Sequence, residues 1–157
     1  MILGIGSDHW GIQLKHDLTE FLVDWGVQVE DFGAASSEPV DYPDIAQQVA
    51  EAVADKRATR GILICKTGIG MAIAANKVPG IRAAAVHSFG TARAAAASNN
   101  AQVITLGCED LDAVSACAFV SEWLVTPFKG GPSAIKVGKI QRLERSYLRA
   151  TRMRQGA

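Results

Sequence analysis

Short apolar runs alternate along this chain with longer segments of helical period, and that alternation restricts its fold more than any other feature. MILGIG (1–6) reads as a first strand. Gly11–Trp25 follows with Ile12, Leu14, Leu18, Phe21, Leu22 and Trp25 near 3.6-residue spacing, and Gly26 stands where a helix would stop. VQVEDFG (27–33) reads as a second strand, SSEPVDYP (36–43) as a polar loop closed by Pro43, and Asp44–Asp55 as a helix. RGILIC (60–65) is a buried strand, and TGIGMAIAANKV (67–78) a glycine-rich turn running into a helix. Ile81–Val86 and Ala101–Leu106 read as strands four and five, Thr91–Ser98 and Leu111–Leu124 as helices. Strands separated by helices imply a three-layer, doubly wound α/β fold: a five-stranded parallel sheet covered on both faces.

The 157 residues suit one domain, 1–157, with residues 130–157 as a C-terminal helix and basic tail. From Lys136 to Arg154 seven cations stand against one acid, Glu144. Ile135, Ile140, Leu143 and Leu148 give this stretch an apolar side, so it is either a solvated helix or one docking on a partner subunit. Lys+Arg and Asp+Glu number 16 each; a nucleic-acid binder would carry a basic surplus, so no nucleic-acid partner is expected. No apolar run approaches the roughly 20 residues of a membrane helix, so no membrane is expected either. The cysteines are Cys65, Cys108 and Cys117, an odd number, and no secretory leader is expected. The expectation is a soluble protein of the reducing cytoplasm.

In an open parallel sheet ligands bind at the carboxyl ends of the strands. That rule selects Gly6-Ser7-Asp8-His9, Cys65–Gly70, His87-Ser88 and Gly107-Cys108, with Asp41-Tyr42-Pro43 from the loop after strand two. In the third-strand segment a thiol closes an apolar strand, and the chain turns through glycines into a helix. Glycines there let backbone N–H groups approach a ligand, and the helix start favours a thiolate as base or nucleophile. The alternative is that Cys65 is a buried, inert thiol. Cys108 and Cys117 are read as structural. None of the three has metal-ligand spacing, and His9, His16 and His87 form no cluster with them, so no metal is expected. Gly4-Ile5-Gly6 lies inside a strand and Gly68-Ile69-Gly70 lacks the third glycine of a dinucleotide fingerprint, which counts against a nucleotide or flavin module.

SDHWGIQLK (7–15), DYP (41–43), ILICKTGIGMAIAANKVPGIRAA (62–84) and SNNAQVITLG (98–107) together resemble the family of ribose-5-phosphate isomerase B and the galactose-6-phosphate isomerase subunits. The likeness runs over about residues 1–140. The GIRAA…H…SNNAQ run is most similar to the branch acting on four-carbon sugar phosphates. The resemblance implies a Rossmann-like or flavodoxin-like fold, no cofactor, and a homodimer or tetramer whose active site is shared between two chains. It implies aldose–ketose isomerisation of a C4–C5 sugar phosphate through a cis-enediol(ate). Cys65 matches the catalytic base, Thr67 the hydroxyl that relays protons, and the N–H groups of Gly68, Ile69 and Gly70 the enediolate site. Asp8 and His9 match contacts to substrate hydroxyls and phosphate, and Tyr42 and Asn99 match further hydroxyl contacts. Asp8 and Tyr42 also have plain alternatives, as a capping carboxylate and a packing residue.

The departures are informative. Ser98 stands where the ribose enzymes carry a ring-opening histidine, and a tetrose phosphate, which closes no stable ring, would not need one. His87 is a candidate to take over part of that role. The family's phosphate-binding arginines align with Glu109, Pro132 and Lys136, and a lysine lacks the bidentate fork of arginine. Lys66 replaces a glycine and is either a compensating cation or an exposed turn residue. His9 and Lys136 are the phosphate candidates. The rival reading is a non-catalytic, sugar-phosphate-binding or structural subunit of a hetero-oligomeric isomerase.

Overall fold

The computed structural model describes residues 1–155; positions 156 and 157 of the expected domain, and the side chains of residues 152 and 155 in its basic tail, lie outside the described residues. The chain runs β1 (Ile2–Ser7), α1 (Ile12–Asp24), β2 (Gln28–Asp31), α2 (Tyr42–Ala54), β3 (Arg60–Cys65), α3 (Ile69–Ala75), β4 (Ala83–Ala85), α4 (Phe89–Ala97), β5 (Val103–Gly107), α5 (Ala113–Val125) and α6 (Pro132–Gln155). All strand pairs are parallel, in the order β2-β1-β3-β5-β4. The expected five-stranded parallel α/β sheet is present.

Alternation along the strands divides the core. Leu3, Ile5, Ile62, Ile64, Ile104 and Leu106 pack under α1, α4 and α5. Leu63, Cys65 and Val103 face α2 and α3 instead. At two positions α2 packs on bare backbone: a Cβ on Gly6 would stand 2.6 Å from Ile45, and one on Gly61 2.7 Å from Val49. The largest fully buried side chain, Trp123 of α5, donates its indole N–H to the Ala101 carbonyl at 3.2 Å.

Element boundaries shift where local chemistry overrides periodicity. Tyr42 and Pro43 open α2 rather than close the loop before it, because proline's fixed φ suits a first helical turn. α4 begins at Phe89, two residues early, because Ser88 and Thr91 form a reciprocal capping box. α5 waits for Asp112, whose carboxylate accepts from the Ser115 N–H at 2.9 Å. α3 ends at Ala75, short of the expected Val78, and β4 keeps only three residues.

After β1 the chain crosses to one side of the sheet and after β3 to the other, which opens a crevice at the carboxyl ends of these strands. Most candidate residues lie there. α6 sits elsewhere: Lys129 donates to the Ala97 carbonyl, and both Glu144 oxygens accept from the Gly80 N–H at 3.0 Å, so its anchorage is at the amino-terminal edge of the sheet. No helix among the described residues is long and apolar enough to cross a membrane.

Candidate active site

Cys65 ends β3 with 5% of its surface exposed, and its Sγ accepts the Gly68 N–H at 3.1 Å. A backbone donor is thus aimed at the sulfur. The turn that delivers this donor needs glycine. Gly68 has φ +78°, and a Cβ on it would meet the Leu106 backbone at 3.0 Å. Its carbonyl accepts from the buried Thr105 hydroxyl at 2.8 Å, which ties the turn to β5. Gly107 completes the close approach: a Cβ there would press on the Thr67 backbone at 2.7 Å. Gly107, in a segment the strand-end rule selects, is a positioning residue, and so is Thr105, which in sequence reads as an ordinary member of a strand.

The three N–H groups of the expected enediolate site are not alike. That of Gly68 is engaged by Cys65 Sγ, that of Ile69 reaches Thr67 Oγ1 at 3.4 Å, and that of Gly70 has no partner among the described residues. Above Gly70 lies the Tyr42 ring, 2.6 Å from where a Cβ would stand. Tyr42 is thus both packed on the turn and 40% exposed beside it.

Asp8 is buried, and its Oδ1 accepts the Trp10 N–H at 3.0 Å, a local turn ahead of α1 rather than a helix cap, since α1 is capped by Gly11; the other oxygen has no partner among the described residues. His9 keeps its Nδ1 buried and unpartnered, with its ring tilted against Trp10 at 5.4 Å between centroids. Cys108 donates its thiol to the Trp10 carbonyl, and burial, then the Asp8 charge, push its pKa up. All three cysteines are free.

A cleft of about 340 Å³ opens beside this turn, across the carboxyl ends of β3, β4 and β5. Thr67, Ile69 and His87 line it, together with Lys66 and Glu109, whose charged groups meet at 3.0 Å. Cys65, Asp8 and Tyr42 lie outside that lining. Among the described residues no cluster of His, Cys, Asp or Glu is placed to hold a metal.

Asn99 and Lys136 are not brought to this cleft. Asn99 follows α4 and precedes β5, where its carbonyl accepts from the Arg82 guanidinium; Lys136 is exposed in the first turns of α6. Both lie at the amino-terminal side of the sheet. β5 is five residues long, so that side is about 15 Å from the cleft.

Comparison with known proteins bears on the fold and the family. Residues 3–140 match the ribose/galactose isomerase family. A D-erythrulose-4-phosphate isomerase of Pectobacterium atrosepticum is 45% identical over 140 residues, covering 88% of this chain and 91% of that protein. Ribose-5-P isomerase B of Listeria innocua is 41% identical over 144 residues, covering 92% and 97%. Among solved structures, ribose-5-phosphate isomerase B of Clostridium thermocellum superposes with a TM-score of 0.92 at 46% identity, covering 94% of this chain and 99% of that one. A sheet with this switch point, a Cys-x-Thr-Gly-x-Gly turn at its mouth and a match spanning almost the whole chain lead to one conclusion: the chain belongs to the ribose/galactose isomerase family.

Proposed function

We propose that this protein interconverts the aldose and ketose forms of a small phosphorylated sugar of four or five carbons, without a cofactor, using Cys65 as the base. The chain is a sugar-phosphate isomerase of the ribose-5-phosphate isomerase B type, as its relatives are; substrate length and mechanism are the finer reading. The observation that carries it is the Gly68 N–H held on Cys65 Sγ at the mouth of the crevice. The thiolate takes the proton from C2 of the aldose, and the C2–H electrons become the C1–C2 double bond of a cis-enediolate. The same proton, or one exchanged with solvent, returns to C1, while Thr67 moves a proton between O1 and O2. Charge leaves sulfur as it reaches the enediolate oxygens, so the Gly68 N–H loosens its hold on sulfur and joins Ile69 and Gly70 in stabilising them. Asp8, His9 and Tyr42 hold the substrate's hydroxyls and phosphate, and His87 faces it across the cleft. A thiol base works only when reduced, which fits a cytoplasmic setting.

Asn99 and Lys136 reach a site of this kind only from a second copy of the chain. The reading therefore includes a homo-oligomer in which one subunit supplies the thiol and its partner the amide and the cation. A non-catalytic subunit would have no use for the Cys65–Gly68 arrangement, and the relatives are named as isomerases.

The test is a coupled isomerisation assay over four-, five- and six-carbon aldose and ketose phosphates, run beside their unphosphorylated parents. Turnover of a tetrose or pentose phosphate supports the reading. No turnover on any phosphate removes it and moves the binding-subunit alternative ahead.

A further inference from the structure

Lys66 is the single permanent cation among the described residues that line the cleft. Its Nζ lies 3.0 Å from Glu109 and 5.2 Å from the centre of the Trp10 ring. Trp10 is 59% exposed, uncommon for so large an apolar surface, and the His9 ring lies tilted beside it with centroids 5.4 Å apart. His9, Trp10, Lys66 and Glu109 thus form a continuous rim from the end of β1, past β3, to the end of β5. The backbone under this rim is fixed, since the Lys66 carbonyl accepts from the Glu109 N–H at 3.1 Å and the Cys65 carbonyl from the Cys108 N–H at 3.0 Å.

We propose that Lys66 is a specificity-determining residue that binds the substrate's phosphate, with Trp10 as its platform and Glu109 as a tether that competes for it. This rests on the isomerase reading above. An ammonium carries three donors, so the bond to Glu109 leaves two for phosphate oxygens. The lysine's side chain is already held by the carboxylate and the indole, so little rotamer freedom remains to be lost when an anion arrives. Both members of the pair are half exposed, 49% each, so their attraction is weak and a phosphate dianion outcompetes it. The tether keeps the cation over the cleft between turnovers and lowers its affinity for the anion at the same time. A sugar without phosphate has nothing to gain from this arrangement, so the pair sorts phosphorylated from free sugars.

The sign of two substitutions decides the matter. If the pair only stabilises the loop, removing either partner acts in the same direction. If Lys66 reads phosphate, the directions are opposite. Steady-state kinetics on the turned-over sugar phosphate, with inorganic phosphate as competitive inhibitor, are compared for the native protein, Lys66→Met and Glu109→Gln. Lys66→Met should raise KM about tenfold or more, with kcat within about threefold, and weaken inhibition by inorganic phosphate to match. Glu109→Gln should lower KM and strengthen phosphate inhibition about two- to fivefold. Lys66→Arg, which keeps the charge, should retain most of the affinity. Shifts of the same sign in Lys66→Met and Glu109→Gln, or an unchanged KM in Lys66→Met, overturn the proposal. Thermal stabilisation by inorganic phosphate reads the same site without turnover. If the native protein isomerises nothing, the isomerase reading falls, yet stabilisation lost in Lys66→Met still supports the phosphate site and stabilisation retained there overturns it.

Discussion

At the scale of single residues, the site is built from backbone that has no room for side chains. Thr67 is held where it is because Gly107 lets β5 run against it, and Gly68 can present its N–H to Cys65 because it occupies the left-handed region. Gly107→Ala should therefore leave a folded protein with kcat lowered about 100-fold, since displacing a reacting group by about an ångström has effects of that order. Melting temperature and kcat measured on the same preparation check this, and a folded variant with native kcat would contradict it. This geometry was only partly legible in sequence. The Cys65–Gly70 turn stands out by its two glycines after a thiol, but Gly107 and Thr105 act through contacts across β3 and β5, and no spacing along the chain records which strands are neighbours. Lys66 and Glu109 looked like two unrelated departures from the family; the structure makes them one ion pair.

At the scale of elements, apolar periodicity located the strands and helices, while capping side chains set where they begin. Ser88 with Thr91 and Asp112 with Ser115 each moved a helix start by two residues from the periodic expectation. α3 came out short because its apolar spacing continues past Ala75 while the chain turns back toward β4, held by Asn76, whose amide donates to the Ala72 and Ala83 carbonyls at 2.8 Å. Between α4 and α5 the link is Arg93 with Glu122. The Arg93 guanidinium, and after it the Thr126 hydroxyl, hold the Glu122 carboxyl below the usual carboxylate range. A carboxyl with a depressed folded pKa contributes stability above its unfolded value, about 4.3, and loses it as pH falls through the folded value. Glu122→Gln should thus lower the melting temperature at pH 7, and the difference from the native protein should shrink below about pH 4. A melting-temperature difference that is constant across pH 3–7 would contradict this account of the contact.

For the whole molecule, the sheet order explains why one chain holds only part of the proposed site. The thiol, Asp8 and the cleft gather at the carboxyl ends of the strands, and Asn99 and Lys136 stand at the opposite side. On α6, Lys136, Ile140, Leu143 and Tyr147 recur at helical spacing on one face, and Ile140, Leu143 and Tyr147 are 47%, 59% and 70% exposed. An apolar face of that kind is what a second copy would cover. Ile140→Glu with Leu143→Glu should convert an oligomer to monomers and reduce kcat/KM more than tenfold while each monomer stays folded, read by light scattering and the coupled assay together. A native protein that is monomeric at full activity would contradict it. Sequence showed the amphipathic, basic character of this segment; that it leaves the sheet's site end altogether follows from the Lys129 and Glu144 anchors, which only the folded chain displays.

In the proposed reaction Cys65 carries the proton between C1 and C2, and isomerisation in heavy water reads that transfer. A tetrose or pentose phosphate is incubated with the native protein and with Cys65→Ala in D2O and followed by NMR. The native protein should convert the sugar with solvent deuterium entering at C1 of the ketose. Cys65→Ala should lose conversion and exchange together by at least about 100-fold, while its thermal stabilisation by the sugar phosphate persists. Conversion by Cys65→Ala within a few-fold of the native rate would contradict it.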